Sequence, residues 1–211
     1  MTKPILYDYW RSSASYRVRI ALGLKGVDYE SREVNLVEGA QSGDDNRARN
    51  AQGFVPTLAI DGHELTQSLA IIDYLDATRP EPPLVPSDPV ARSRALARAL
   101  VVAADIHPLD NLRVLKYLKN ELGHDQDAVD RWYRHWIHEG FAALEALAPD
   151  SGYLGGDAPD LSDICLVPQM YNARRFETDL SAYPKLVRID AALNELPAFA
   201  AATPEAVKPK D

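Results

Sequence analysis

Residues 10–22 read WRSSASYRVRIAL. Two small hydroxyls, Ser12 and Ser13, stand beside Arg11 where an aromatic run hands over to an amphipathic one; Arg17 and Arg19 follow. The first backbone N–H groups of a helix lack internal partners, so such a junction can bind an anion. Serine is also a favoured N-cap, and capping alone would account for a hydroxyl here. A second junction is Val55-Pro56, ahead of the apolar run TLAI. A cis proline there would turn the Val55 backbone outward as an unpaired edge that an extended peptide could join. A trans proline at a strand start is the plain alternative. The third junction is Gln67-Ser68, which opens the run containing Leu69, Ile72 and Leu75. A serine hydroxyl with free helix N–H groups suits a carboxylate, and capping again competes. Three candidate contacts from three junctions of one small domain are more specific than any one alone.

The elements that must position these residues fall into two halves. PILYDY (4–9) predicts a first strand. Ala14, Val18, Ala21 and Leu22 then share one helical face, with Gly26 placed to end that helix. YESREVNL (29–36) predicts a polar strand near an edge, and residues 38–53 show little period and predict an irregular segment. Asp61-Gly62 between LAI and HEL is a two-residue hairpin signal. Leu69, Ile72 and Leu75 mark a further helix, stopped by Pro80. A crossover helix followed by a hairpin implies a small mixed α/β sheet with helices on its faces over residues 1–82.

Residues 80–89 hold five prolines and predict a linker. Everything from 88 to 211 predicts helix. The first run, from Val90 to Leu122, is interrupted at Pro108, which should leave the Ala104 carbonyl without its helical partner and open a kink. That kink would aim His107 and Asn111 toward the domain cleft. Arg131 to Leu147 predicts a long helix, and Asp160 with Asp163 an N-cap and N3 pair. A short helix is expected near 185–195, and the polar tail ATPEAVKPKD is expected to be disordered.

The 211 residues are 46% hydrophobic and 26% charged, enough for a real core. A net charge of −8 disfavours nucleic acid and polybasic membrane contact as partners. No apolar run approaches a membrane span, and MTKPILYDYW has no secretory h-region. Cys165 lies in the apolar run ICLVP and reads as a buried inert thiol, in keeping with a reducing cytoplasm. His135 and His138 have no third ligand at helical spacing, so no metal is expected.

Five ordered stretches over both halves carry a resemblance: WRSSASYRVRIALGLKGVDYE, FVPTLAIDG, LTQSLAIIDYL, IHPLDNLRVLKYL, and YLGGDAPDLSDICLVPQMYNARRFETDLSAYP. The chain resembles the glutathione transferase superfamily over essentially its full length, and most of all its zeta class, which includes maleylacetoacetate and maleylpyruvate isomerases. The resemblance implies a thioredoxin-like α/β N-terminal domain that binds glutathione, an all-α C-terminal substrate domain, and a homodimer. By position, Ser12 matches the thiol-activating serine and Ser13 its neighbouring backup. Val55, beside a cis Pro56, would pair its backbone with the cysteinyl part of glutathione. Gln67 and Ser68 would hold the γ-glutamyl carboxylate, and Gln41, His107 and Asn111 match further glutathione contacts. The zeta pattern usually reads Ser-Ser-Cys, whereas the third position here is Ala14. Any sulfur chemistry therefore belongs to glutathione.

The implied reaction is cis–trans isomerisation of a maleyl-type diacid in aromatic catabolism, by reversible thiolate addition. Arginine forks suit a small anionic substrate with two carboxylates. The candidates are Arg11, Arg113 and Arg175, the last matching the family's arginine, with surface salt bridges as the competing account. Arg17 is expected to support its helix or the dimer interface. Some maleylpyruvate-isomerising relatives carry an additional arginine where this chain has Leu112, which weakens maleylpyruvate as the substrate. A transferase conjugating or dehalogenating small electrophiles, and a non-enzymatic adaptor on the same fold, are the alternatives.

Overall fold

The computed structural model describes residues 3–209. Strand β1 (Ile5–Asp8) alternates half-buried and buried positions, so Leu6 and Asp8 face inward. Helix α1 (Ser13–Leu24) crosses to β2 (Glu30–Glu33), which runs parallel to β1. β3 (Thr57–Ile60) lies antiparallel on the other side of β1, with Leu6 opposite Leu58, and β4 (His63–Thr66) closes the hairpin. The sheet order is β2-β1-β3-β4, the expected small mixed sheet. β2 is an edge strand with every residue exposed, as its polar sequence requires. Asp61 and Gly62 both take positive φ, 52° and 83°, the geometry that joins twisted antiparallel strands in two residues.

Helix α3 (Ser68–Thr78) packs on α1 through a face that includes Ile71, Ile72 and Leu75. Two expectations fail in this region. Residues 38–53 are not irregular throughout: a 3-10 turn (Ala40–Ser42) leads into helix α2 (Asp44–Arg49). Six residues make less than two turns, too short for a period to show in the sequence. Second, α1 is buried on nearly all sides, not one. Arg19 forms a buried ion pair with Asp8 at 2.9 Å and donates to the Trp10 and Ala202 carbonyls at 3.0 and 3.1 Å.

The Ala202 contact reflects how the chain is divided. One compact unit contains the chain up to Leu84 together with Glu195 onward; the other runs from Val85 to Asn194. This differs from an expected helical domain reaching residue 211. The cause is close packing on α1: a Cβ at Gly23 would lie 3.2 Å from that of Ala198, in α10 (Pro197–Ala200). The described part of the tail is likewise ordered. Thr203 caps α11 (Pro204–Val207), and Lys208 stacks its ammonium 5.5 Å from the Trp10 ring. Lys210 and Asp211 lie outside the described residues.

The second unit is helical. α4 (Pro89–Leu100) begins at the Asp88 cap and continues into a π-helical segment (Val101–Ile106), then α5 (His107–Leu109). After a break at Asp110 and Asn111 come α6 (Leu112–Asn120), α7 (Gln126–Leu147), α8 (Leu161–Arg175) and α9 (Pro184–Asn194). The path is not straight, but the strain expected at Pro108 is distributed differently. In the π segment the His107 N–H reaches back five residues to Val102. In that register the N–H that Pro108 lacks would have served Ala103 rather than Ala104. Gly140 of α7 lets this segment approach: a Cβ there would fall 2.4 Å from Ile106 Cδ1. Asp160 and Asp163 form the expected reciprocal cap of α8. No helix among the described residues is long and apolar enough to cross a membrane.

Candidate active site

Ser12 is the N-cap of α1. Its N–H donates to the Tyr9 carbonyl at 2.8 Å, and its Oγ accepts the Ser15 N–H at 3.2 Å. The capping account is therefore true, yet it uses only a lone pair of the hydroxyl. The O–H hydrogen can still be donated to a ligand. No acidic residue sits in the first turn, so the positive end of the helix is not offset by its own side chains. Ser13 is buried at the first helical position, and Ala14 is half-buried beside it.

The Val55-Pro56 bond is cis. Val55 is half-buried and precedes the β3 ladder, which begins at Thr57. The segment before it is held by two buried asparagines that sequence reasoning did not single out. Asn46 and Asn50 donate to the Phe54 carbonyl at 3.2 and 3.1 Å, and Asn46 also donates to the Gln41 carbonyl at 2.9 Å. Asn46 thus joins the Gln41 turn to the approach to Val55. The Gln41 Oε1 is buried with no hydrogen-bond partner among the described residues. Within a stretch lacking any period, only the polarity of two buried residues could have signalled this, and polarity alone predicts exposure.

At α3 the capping account fails. Gln67 is the N-cap in a left-handed conformation, φ 67°, and its side chain makes no cap bond; it donates instead to Gln52 Oε1 at 2.6 Å. Ser68 is already inside the helix and buried. Its Oγ accepts from Arg17 Nη1 at 3.3 Å. Arg17, expected to support its helix or the dimer interface, is 2% exposed and lies beneath this junction. A helix start without its own side-chain cap, backed by a buried guanidinium, suits a carboxylate.

The arginines separate by their partners. Arg11 donates to the Tyr9 phenol at 3.3 Å and lies 4.9 Å over the Trp10 ring, with no carboxylate partner among the described residues. In the second unit, Arg174 is committed to Asp190 at 2.6 Å, whereas its neighbour Arg175 is exposed at the end of α8. The Arg175 guanidinium lies 4.8 Å over the Phe176 ring. His107 is half-buried at the start of α5. Asn111 caps α6: its Oδ1 accepts the Arg113 N–H at 3.1 Å, which leaves its amide N–H groups for a ligand. Arg113 itself is exposed on α6. His138, one of the two histidines on α7, is engaged with the Tyr183 hydroxyl at 2.8 Å.

A group that sequence reasoning missed lies beside Asn111. Asp110 is 6% exposed and neither carboxylate oxygen has a hydrogen-bond partner among the described residues. Burial pushes its carboxyl up to about 8. The first unit thus carries Arg11, Ser12, Ser13, Gln41, Val55, Pro56, Gln67 and Ser68 in the segments that connect the strands and helices of one sheet domain. In the second unit, His107 and Asn111 share the helix break with Arg113, and Arg175 ends α8.

The family described as the glutathione S-transferase N-terminal domain matches residues 6–83. A probable maleylacetoacetate isomerase of Vibrio cholerae is 51% identical over 212 residues, 97% of either chain. The holo structure of a maleyl pyruvate isomerase, described as a bacterial glutathione S-transferase of the zeta class, aligns with a TM-score of 0.95. It is 44% identical and covers 98% of this chain and 100% of that one. This chain belongs to the zeta-class glutathione transferases. A second zeta-type structure is the maleylacetoacetate isomerase of Anaeromyxobacter dehalogenans, 42% identical with a TM-score of 0.86 over 98% of this chain and 96% of that one. It has dicarboxyethyl glutathione and citrate bound in its active site. In this zeta-class transferase the thioredoxin-like sheet carries no thiol of its own, because Ala14 follows the serine pair and Cys165 is buried in α8.

Proposed function

We propose that this protein is a glutathione-dependent cis–trans isomerase of a maleyl-type diacid, maleylacetoacetate or maleylpyruvate, acting in aromatic catabolism. The observation that carries this reading is the state of two arginines. In a chain of net charge −8, Arg11 rests on a phenol and an indole face and Arg175 on a phenyl face, contacts that leave a guanidinium its charge. Either guanidinium suits a carboxylate of the substrate. A neutral aromatic electrophile would need neither. The Anaeromyxobacter relative binds glutathione bearing a dicarboxyethyl group, which is the kind of adduct such an enzyme would handle.

The residues fit the cofactor. The uncapped start of α3, with Gln67, Ser68 and Arg17 beneath, would take the γ-glutamyl carboxylate. The Val55 backbone would pair with the cysteinyl unit, and the unpartnered Gln41 Oε1 offers an acceptor for an N–H group. Bound glutathione supplies a thiolate nucleophile that adds reversibly to a conjugated double bond and leaves unchanged. Ser12 donates its hydroxyl hydrogen to the sulfur, and the α1 terminus adds its field. A thiol of pKa near 8.5 is only a few per cent ionised at neutral pH; lowering it by about two units takes roughly 2.7 kcal/mol. One charge-assisted hydrogen bond and a helix end together supply about that much. Arg11, next to Ser12 in the chain, would hold a substrate carboxylate and stabilise the negative charge that builds on the substrate during addition.

The same reading makes the protein a cytoplasmic homodimer, since its cofactor must stay reduced. Isomerisation followed by absorbance, with and without glutathione, while remaining thiol is titrated, tests the function. Loss of the cis diacid only with glutathione, and with no thiol consumed, is the expected result. Thiol consumption would identify a conjugating transferase. No turnover of either diacid would sink the proposal.

A further inference from the structure

We infer that Tyr9 is a positioning residue for the diacid: its buried phenol, together with the Trp10 indole, fixes the Arg11 guanidinium for a substrate carboxylate. This rests on the role given above to Arg11. Strand β1 ends at Asp8 and the chain turns at once. The Ser12 N–H donates to the Tyr9 carbonyl at 2.8 Å, so Arg11 and Ser12 belong to one closed turn. A second bond pins that turn from α1, where Arg19 Nη2 donates to the Trp10 carbonyl at 3.0 Å. The side chains are fixed in the same way. Tyr9 is 6% exposed and Trp10 half-buried, with their rings 5.9 Å apart and tilted by 49°. The Arg11 guanidinium lies 4.9 Å from the Trp10 centroid, and its Nη2 donates to the Tyr9 hydroxyl at 3.3 Å. The tail braces the indole through Lys208, whose ammonium lies 5.5 Å from the ring. All of these groups belong to one compact unit.

The two aromatic groups divide the work. A ring face attracts a cation but leaves it free to slide and turn over the surface. A hydrogen bond is directional, so the phenol sets the orientation of the guanidinium plane. Arg11 Nε is buried without a hydrogen-bond partner among the described residues, so the Nη groups are what can meet a carboxylate, and Tyr9 holds one of them. A carboxylate in place of the phenol would orient Arg11 as well, but it would cancel the charge, as Asp8 does for Arg19 at 2.9 Å. An arginine ordered in advance keeps the binding energy that a free one loses to ordering.

Tyr9→Phe keeps the ring and its contact with Trp10 and deletes only the hydroxyl. It should raise KM for the diacid about fivefold, the effect of one hydrogen bond. KM for glutathione and the pKa of its bound thiol should not move, although Ser12 belongs to the same turn. Arg11→Ala should raise the diacid KM further, and adding Tyr9→Phe to it should cost nothing more, because Tyr9 acts through Arg11. A Tyr9→Phe penalty that persists in the Arg11→Ala background, or that comes with a shifted thiol pKa, would show the phenol merely holding the turn together, and the inference is wrong. It is equally wrong if Tyr9→Phe is silent while Arg11→Ala is harmful, and the role of Arg11 then stands. An Arg11→Ala protein with an unchanged diacid KM overturns both. A wild-type protein that turns over no diacid removes the isomerase reading and this inference with it.

Discussion

Ser12 performs two tasks through one oxygen, and two substitutions separate them. Ser12→Ala removes the cap on Ser15 N–H, now made at 3.2 Å, at a cost of about 1 kcal/mol. For a chain of this length that lowers the melting temperature by roughly 2–4 °C. Ser12→Gly removes the same hydroxyl, but glycine is a tolerable N-cap and costs only a few tenths of a kcal/mol. Stability should therefore separate the two variants. Thiol activation should not, because neither has an O–H to donate. A hydrogen bond to a thiolate contributes about 1.5–2 kcal/mol, so the bound thiol pKa should rise by roughly 1–1.5 units in both. From a starting value near 6.5, the thiolate fraction at pH 7 would fall about fivefold. The ultraviolet absorbance of the thiolate, titrated against pH in the glutathione complex, reads this directly. The reasoning is refuted if glycine restores the thiol pKa along with the stability, since the helix end and not the hydroxyl would then be the activator. It is equally refuted if neither variant moves the pKa.

Other perturbations follow from the same geometry. Asp110 has a folded pKa raised to about 8 against an ordinary 3.8, so its contribution to stability is intact below the lower value and is lost as pH rises through the upper one. Urea unfolding of Asp110→Asn should accordingly show a stability advantage over wild type that grows by about 1.4 kcal/mol per pH unit across that window. A flat difference would mean that Asp110 ionises freely in the fold. Asp163 accepts the N–H groups of Leu154, Gly155 and Asp160 at 2.8, 2.8 and 3.0 Å. Stranding these buried donors in Asp163→Ala should cost about 3 kcal/mol, visible as a lower urea midpoint at unchanged slope. Arg11→Lys keeps the charge but loses the planar fork over Trp10; diacid KM should rise several-fold while glutathione affinity holds.

What could be read from the residues was local. Asp61-Gly62 makes its turn through its own φ angles, Asp160 and Asp163 cap their own helix, and Ser12 closes the first turn it precedes. Each needs only neighbours a few positions away. What escaped depended on distant partners. Arg17 looks like a surface residue until Ser68 arrives beside it from 51 positions away. Asn46 and Asn50 look solvated until the Phe54 carbonyl needs donors. A π register leaves no mark in composition, because it arises from how Ile106 meets Gly140. Among the site candidates, the three junctions of the sheet domain were marked by their residue types. Asp110 was not, because a buried acid acquires meaning only from what surrounds it.

The pairing of Arg19 with the Ala202 carbonyl has a consequence for synthesis. Translation delivers α1 well before the residues that cover it, with the entire helical unit made in between. A nascent chain that has emerged only as far as the linker holds a guanidinium already committed to Asp8 but still missing one of its acceptors, and a helix face that nothing yet shields. Completion of the glutathione-binding half therefore waits until residues 195–202 have been made. Until then the half-built sheet domain is an exposed intermediate, of the kind that chaperones hold.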